Sequence, residues 1–413
     1  MSGPLSRVDR LLQEKWGVQS LDRRIIQSHQ LEALNQRLRQ YHGAGIPGYP
    51  QQINGLEALS DLPIMDPAKL AVLTPSVLGI SQRWVAKIST LKTSGTTGPS
   101  KRLFFSRGDL EETRHFFQAG MQEVIGPGDV VLIAMPGVRE ESLAGLICGA
   151  LFTFGARGIV LPANLCIDAA CRYGASHGVT KAIAAPNFLL GLLRYAKSRR
   201  IPLAINGAIL SSDHCHPVVV QRLQEEQGCR CFNHYAMMET GCAGAVECGS
   251  HQGMHIWEGG LLLEVVDPCT LNPLPDGVQG ELLITTLVRQ IQPLLRYRTG
   301  DLGRMTHHPC SCGGATARLW DVIRAEGQCT FGKWNGILFG DAQVVDYEVT
   351  QKNGELKIKI ITIAGWIEKS TADALREVAP GGGITLCSIQ GNDRLIGGKQ
   401  RVTDEKALAA SLK

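Results

Sequence analysis

At 413 residues, 44% apolar and 19% charged, the chain has the make-up of a soluble globular protein, long enough to bury a large core in roughly two or three domains. Its formal net charge is only +4 and no basic run with interleaved aromatics occurs, which argues against a nucleic-acid partner. The N-terminal MSGPLSRVDRLLQEKW lacks a signal-peptide core, and the apolar stretch from Leu143 to Gly155 is too short to cross a bilayer. Thirteen cysteines without a secretory signal then point to a reducing compartment, and the expected location is the cytoplasm.

Residues 5 to 42 read as two polar-faced helices, followed by loops and short helices punctuated by Pro63, Pro67 and Pro75. RWVAKIST and LFFS read as strands on either side of LKTSGTTGPSKR, and Ser106, with Asp109 at the third position after it, predicts a capped helix over DLEETRHFFQAGMQEV. From about residue 129 the chain alternates. DVVLIAMP, ARGIVLP, TKAIAAP and INGAILSS read as buried strands; SLAGLICGALFTFG, DAACRYGASHG, NFLLGLLRYAKSR and HPVVVQRLQEEQG read as the helices between them. In such sheets ligands collect at the carboxyl ends of strands, so MPG, APN and LSSD, with Ser211 and Asp213, are candidate pocket walls. After Arg230 strands and turns take over, in CFNHYAM, MHIWEGGLLLEVVDP, GELLITTL and PLLRYRTGD. A small α+β piece begins near Ala325: ELKIKIITI sets Leu356, Ile358 and Ile360 against Lys357 and Lys359, and a helix near Lys369 to Val378 and the strand ITLCSI follow. The expected fold is therefore α/β, with mostly parallel sheets flanked by helices plus a strand-rich subdomain over 1–324, and a small α+β domain over 325–413.

The loop TSGTTGPSK is built for a polyphosphate. Gly95 and Gly98 let successive amides turn toward one anion, Thr93, Ser94, Thr96 and Thr97 add uncharged donors, and Lys101 brings a positive charge to the rim. It is not a Walker loop, because Lys101 lies well past Gly98 and a strand, not a helix, follows. NHYAMMETG ends a strand with Tyr235 and the carboxylate of Glu239, and magnesium takes such a hard oxygen together with substrate phosphates. In YRTGD, Asp301 follows a glycine turn, where a carboxylate can accept from both hydroxyls of a ribose. Near the end, IGGKQRV places Lys399 in a glycine-flanked turn.

These four strings, in this order, resemble the signature motifs of the adenylate-forming superfamily of acyl- and aryl-CoA ligases and peptide-synthetase adenylation domains. PLLRYRTGDL, and HIWE followed by EVVDP, are similar to phenylacetate-CoA ligases in particular. The resemblance implies ATP-dependent activation of a small carboxylic acid to an acyl-adenylate with release of pyrophosphate. In that picture the loop with Lys101 holds the β and γ phosphates, Glu239 the magnesium, Tyr235 stacks on adenine and Asp301 takes the ribose. Lys399, on a small mobile C-terminal domain, reaches the reacting centre. Ala236 and Met238 stand where the family motif YGxTE has glycine and threonine. The family hinge resembles RGRSDD, whereas this chain reads IRAEGQC over Ile323 to Cys329, so the acceptor of the second step stays open among the thiol of coenzyme A, a carrier-protein thiol, an amine, or none. Expected partners are the acid, such a thiol and a second copy of the chain as a homodimer; a membrane is not among them. Two other readings remain: a nucleotide-binding degenerate homologue without turnover, and AMP transfer to a non-carboxylate acceptor. Separately, VECGSHQGMH and HHPCSCGG supply Cys248, His251, Cys310 and Cys312 for a tetrahedral structural zinc, with His255 as substitute for His251. Some relatives of phenylacetate-CoA ligase resemble this arrangement and carry zinc.

Overall fold

Ser6 starts the first helix, α1 (Arg7–Trp16), by accepting from the Asp9 amide, and Gly17 ends it in the left-handed region at φ 65°. The structure is a computed structural model that describes residues 5–91, 101–324, 328–352, 355–378, 384–390 and 402–404. Helix α2 (Arg23–Gly43) is capped by Asp22 and α3 (Pro67–Val72) by Asp66. Strands β1 (Lys87–Leu91) and β2 (Lys101–Phe105) pair antiparallel, from Lys87 opposite Phe105 to Leu91 opposite Lys101. Helix α4 (Arg107–Met121) opens with the capping box expected of Ser106 and Asp109, each side chain accepting from the other residue's amide.

The predicted alternation is present. Strands β3 (Val130–Ile133), β4 (Arg157–Val160), β5 (Lys181–Ala184) and β6 (Gly207–Leu210) alternate with α5 (Leu143–Thr153), α6 (Ile167–Ser176), α7 (Pro186–Ser198) and α8 (Pro217–Gln227). With the first residues of β7 (Arg230–Tyr235) they pair in parallel in the order β4-β3-β5-β6-β7. Every residue of β6 is buried, as strands covered on both faces must be.

From β7 to β13 the strand pairings are antiparallel. Strands β8 (Ala245–Glu247), β9 (Met254–Ile256), β10 (Leu261–Val266), β11 (Gly280–Thr286), β12 (Tyr297–Thr306) and β13 (Arg318–Arg324) run in the order β10-β11-β12-β13-β9-β8, and β8 pairs with the last residues of β7. Residues from β8 to β13 form a core of their own around Leu263, Leu282, Ile284 and Leu319. The C-terminal stretch holds α9 (Gln328–Gly340), β14 (Val344–Lys352), β15 (Glu355–Thr362), α10 (Lys369–Glu377), β16 (Ile384–Gln390) and β17 (Val402–Asp404), with sheet order β16-β15-β14-β17. Ile358 and Ile360 are fully buried and Lys357 is exposed, as the alternation predicts. The α/β class read from the sequence holds throughout.

By contacts the chain divides into Met1–Glu123 with His234–Ala325, and Val124–Asn233 with Glu326–Lys413. The sequence alone suggested a break at 324/325 with 325–413 standing apart; here the C-terminal stretch shares a core with α6, α7 and α8. The close approach is specific: a Cβ on Gly191 of α7 would lie 2.2 Å from the Val345 carbonyl oxygen. Buried Arg194 donates to the carbonyls of Phe339, Asp341 and Val344 at 3.0, 2.9 and 2.8 Å, and to both oxygens of Glu226 at 2.9 and 2.8 Å. One guanidinium thus satisfies the bare carbonyls that end α9. Arg194→Met takes this buried donor from the three carbonyls and from Glu226, which keeps only Arg222 at 3.5 Å among the described side chains. It should destabilise the protein by about 3 kcal/mol or more, read as a lowered urea midpoint.

Candidate active site

Lys101 opens β2, fixed by its pairing with Leu91. Its ammonium donates to the Tyr297 hydroxyl at 3.0 Å and lies 3.8 Å from Glu239 Oε1, and the Tyr297 hydroxyl donates to the same Oε1 at 3.3 Å. Glu239 rides on a single 3-10 turn, Met238–Thr240, directly after β7. Gly241 ends the turn at φ 71°, and a Cβ there would press on Thr113 Oγ1 at 3.0 Å. Arg289, 3% exposed, donates to the Glu239 carbonyl and, at 2.7 Å, to the Phe104 carbonyl, which ties the turn to β2. Burial brings its guanidinium down to about 10. The carboxylate of Glu239 is therefore aimed by backbone bonds that its own side chain does not make.

Tyr235, at the end of β7, donates to Asp301 Oδ2 at 3.0 Å, and Arg324 at the end of β13 donates to Asp301 Oδ1 at 2.9 Å. Arg324 also holds the Thr299 carbonyl at 2.7 Å, so the turn before Asp301 is clamped from β13. Burial, then the Asp301 charge, raises the Tyr235 phenol well above its ordinary range; burial, then Glu239, does the same to Tyr297. Both phenols stay protonated donors at neutral pH. For Arg324 burial works against the charge, but the hydrogen bond and charge of Asp301 outweigh it and the pKa is raised.

Four of the predicted residues, Lys101, Tyr235, Glu239 and Asp301, are thus linked in two hydrogen-bonded sets that sense each other's charge. Thr93, Ser94, Gly95, Thr96, Thr97, Gly98 and Lys399 lie outside the described residues. Ser211 and Asp213 directly follow β6: the Ser211 amide donates to the Ala184 carbonyl at 3.0 Å, and Asp213 Oδ1 accepts from the His214 amide at 2.8 Å. Ala236 replaces the motif's glycine without needing a left-handed backbone. The tight passage is met instead by Gly244, where a Cβ would lie 2.1 Å from the Tyr235 carbonyl oxygen. Met238, in place of a threonine, sets its sulfur 3.5 Å from Cys242 Sγ.

Cys248, His255, Cys310 and Cys312 are all buried, with their ligand atoms within 4.8 Å of one another. Cys248 Sγ is 3.9 Å from Cys310 Sγ, and Cys312 Sγ is 3.5 Å from His255 Nε2. The structure gives the histidine position to His255 rather than His251. His255 projects inward from β9, whereas His251 stands on the turn after Cys248, its side chain 39% exposed and its Nδ1 3.3 Å from Glu247. The hydrogen bond of Cys312 draws the Cys248 thiol down to about 3 and holds Cys312 as a thiol. Burial opposes charge on His255, but its contacts with Asp9 and Cys248 raise it to about 10. The donor set, one imidazole and three buried sulfurs, could hold a metal ion.

Sequence reasoning did not single out Tyr297, Arg289, Arg324 or Asp9. Tyr297 begins the YRTGD string and Arg324 is the second residue of the hinge string, which is the local signal each carries.

A family model described as AMP-binding enzyme matches residues 91–287. The phenylacetate-coenzyme A ligase of Thermus thermophilus is 28% identical over 299 residues, 66% of this chain and 62% of that enzyme. The Pseudomonas putida phenylacetate-coenzyme A ligase is 35% identical over 138 residues, 32% of this chain and 30% of that enzyme. The chain therefore spans less than two thirds of the length of either relative. Among solved structures, 2-hydroxyisobutyryl-CoA ligase in the postadenylation state with R3-HIB-AMP superposes with a TM-score of 0.72 at 16% identity, covering 95% of this chain and 92% of that chain. The same ligase with 2-HIB-AMP and CoA in the thioesterification state gives 0.65 at 18% identity, covering 95% and 93%. These superpositions carry the fold alone. The chain thus carries an AMP-binding region over 91–287 and is similar in sequence to phenylacetate-coenzyme A ligases.

Proposed function

We propose that this chain activates a carboxylic acid with ATP and passes the acyl group to the thiol of coenzyme A. A carboxylate oxygen attacks the α-phosphorus and pyrophosphate leaves. In the second step the thiol sulfur attacks the acyl carbon, AMP leaves, and the thiol proton goes to solvent. The carrying observation is the convergence of Lys101, Tyr297 and Glu239 beside Tyr235, Asp301 and Arg324. Lys101 supplies positive charge for the phosphates, with the loop over 93–98 as their cradle. Glu239 would hold magnesium, which when bound neutralises phosphate charge. Each Asp301 oxygen keeps a free lone pair after its bond to Tyr235 or Arg324, enough to accept a ribose hydroxyl. Tyr235 offers its ring to adenine, and Ser211 and Asp213 are assigned to nucleotide binding from their place at the carboxyl end of β6. Lys399 is assigned to the reacting centre. Transfer to coenzyme A is supported by the names of the phenylacetate-coenzyme A ligase relatives.

The test is a pyrophosphate-release screen over aryl and aliphatic acids, with and without coenzyme A. Acid-dependent release, with acyl-CoA formed only when coenzyme A is present, is expected. No release with any acid would leave a nucleotide-binding homologue without turnover. Release without a thioester would point to a carrier-protein thiol or another acceptor.

Cys248, His255, Cys310 and Cys312 are assigned to a structural zinc, and the reading is supported by their buried Cys3His donor set. The protein purified without chelator should contain close to one zinc per chain by elemental analysis; a small fraction of that amount would remove the assignment. Among the described residues no helix is long and apolar enough to cross a membrane, and the cytoplasmic assignment rests on the many cysteines.

A further inference from the structure

Resting on the zinc reading, we infer that Asp9 of α1 positions the zinc-binding histidine, so that docking of the N-terminal helix and metal binding are one event. Asp9 is completely buried although it is a charged residue lying far from the cysteines in sequence. Its two oxygens divide the work. Oδ1 accepts from the amides of Ala315 at 2.8 Å and Thr316 at 3.0 Å, just past Cys312. Oδ2 accepts from the hydroxyls of Ser6 at 2.5 Å and Thr316 at 2.9 Å, and stands 3.1 Å from His255 Nδ1. The Thr316 hydroxyl, having given its proton to Asp9, can only accept from His255 Nδ1, 2.7 Å away. Both neighbours of Nδ1 are acceptors, so Nδ1 carries the hydrogen and Nε2, the nitrogen facing Cys312, keeps its lone pair for a metal. The cradle is also sterically fitted: a Cβ on Gly314 would lie 2.5 Å from Asp9 Oδ2 and 2.8 Å from His255 Cε1.

The consequence reaches α1. Val8 and Leu12 on the same helix are fully buried, and a Cβ on Gly259 would lie 2.4 Å from Leu12 Cδ2. The helix can hold Asp9 against His255 only when that face is docked. By linkage, zinc binding must then favour the docked helix as much as docking favours zinc.

Asp9→Asn separates positioning from packing. If the amide oxygen of the D9N side chain keeps the two backbone donors, its NH2 group faces Thr316 and His255. The hydrogen-bond chain reverses, Nδ1 becomes an acceptor, and the hydrogen moves to Nε2, where it blocks coordination. Zinc affinity, measured by chelator competition, should fall about 10- to 100-fold, and cobalt-substituted D9N should lose the tetrahedral thiolate spectrum of the parent. Arg23→Met is the control for loosening alone, because Arg23 pairs with Glu258, which accepts from the Ala317 amide, without touching His255. That variant should keep the parent affinity and spectrum. In the parent, removing zinc should raise hydrogen exchange in the α1 amides. Parent-like zinc affinity in D9N, or α1 exchange indifferent to zinc, overturns the proposal while leaving the zinc site standing. A parent protein that binds neither zinc nor cobalt overturns the zinc reading, and the role of Asp9 with it.

Discussion

Glu239→Gln should lower acid-dependent ATP–pyrophosphate exchange by about 1,000-fold or more, a loss of about 4 kcal/mol of transition-state stabilisation, with little change in the melting temperature. The two halves of the expectation come from different bonds. Among the described residues the carboxylate side chain meets Tyr297 and Lys101, at 3.3 and 3.8 Å, and an amide oxygen can still accept from both. What holds the turn is the donation of Arg289 to the Glu239 backbone carbonyl and the left-handed Gly241, and neither depends on the side chain's charge. What is lost is one full negative charge at a buried point beside Lys101, the charge that the proposed magnesium ion would need. Raising magnesium should recover part of the exchange; a variant with parent-like exchange at low magnesium would remove Glu239 from the metal site.

Much of this arrangement can be read in the sequence because it is local. The capping box at Ser106 and Asp109, the βα alternation from Val130 to Gln227 and the alternation in β15 all depend on residues a few positions apart. Tyr235 and Glu239 belong to one short string, and the structure keeps them on one strand end and its following turn. What escapes is nonlocal. Asp9 acquires its meaning from Thr316 and His255, and Arg289 from Phe104 and Glu239, across long separations that leave no periodic trace. The choice of His255 over His251 shows the same limit. The C-x-x-H spacing favours His251, but His251 sits at φ 49° on the turn after Cys248, and strand β9 carries His255 inward instead. Helix α9 falls in a stretch with no clear apolar period, and it is held by the buried Arg194 of α7 rather than by its own pattern. Arg194 in NFLLGLLRYAKSR reads as a solvent residue until the carbonyls it caps are known.

Lys399→Ala should abolish acid-dependent pyrophosphate exchange, a loss of about 1,000-fold or more, while ATP still binds with an affinity within about threefold of the parent. The asymmetry follows from when charge appears. In the proposed site the ground-state triphosphate is already met by Lys101, which lies 3.8 Å from Glu239, so a further cation should add little to binding. As the carboxylate oxygen closes on the α-phosphorus, negative charge moves onto the oxygens around it, and a cation aimed there acts mainly in the transition state. The same reasoning separates the two half-reactions. Attack of a thiol on the acyl carbon builds charge on the carbonyl oxygen and the departing AMP, not on a five-coordinate phosphorus. Supplied with ready-made acyl-adenylate, the K399A protein should therefore form thioester at a rate near the parent's. Equal loss in both assays would mean that Lys399 supports the fold or the domain position rather than the phosphorus, and unchanged exchange would take it out of the mechanism.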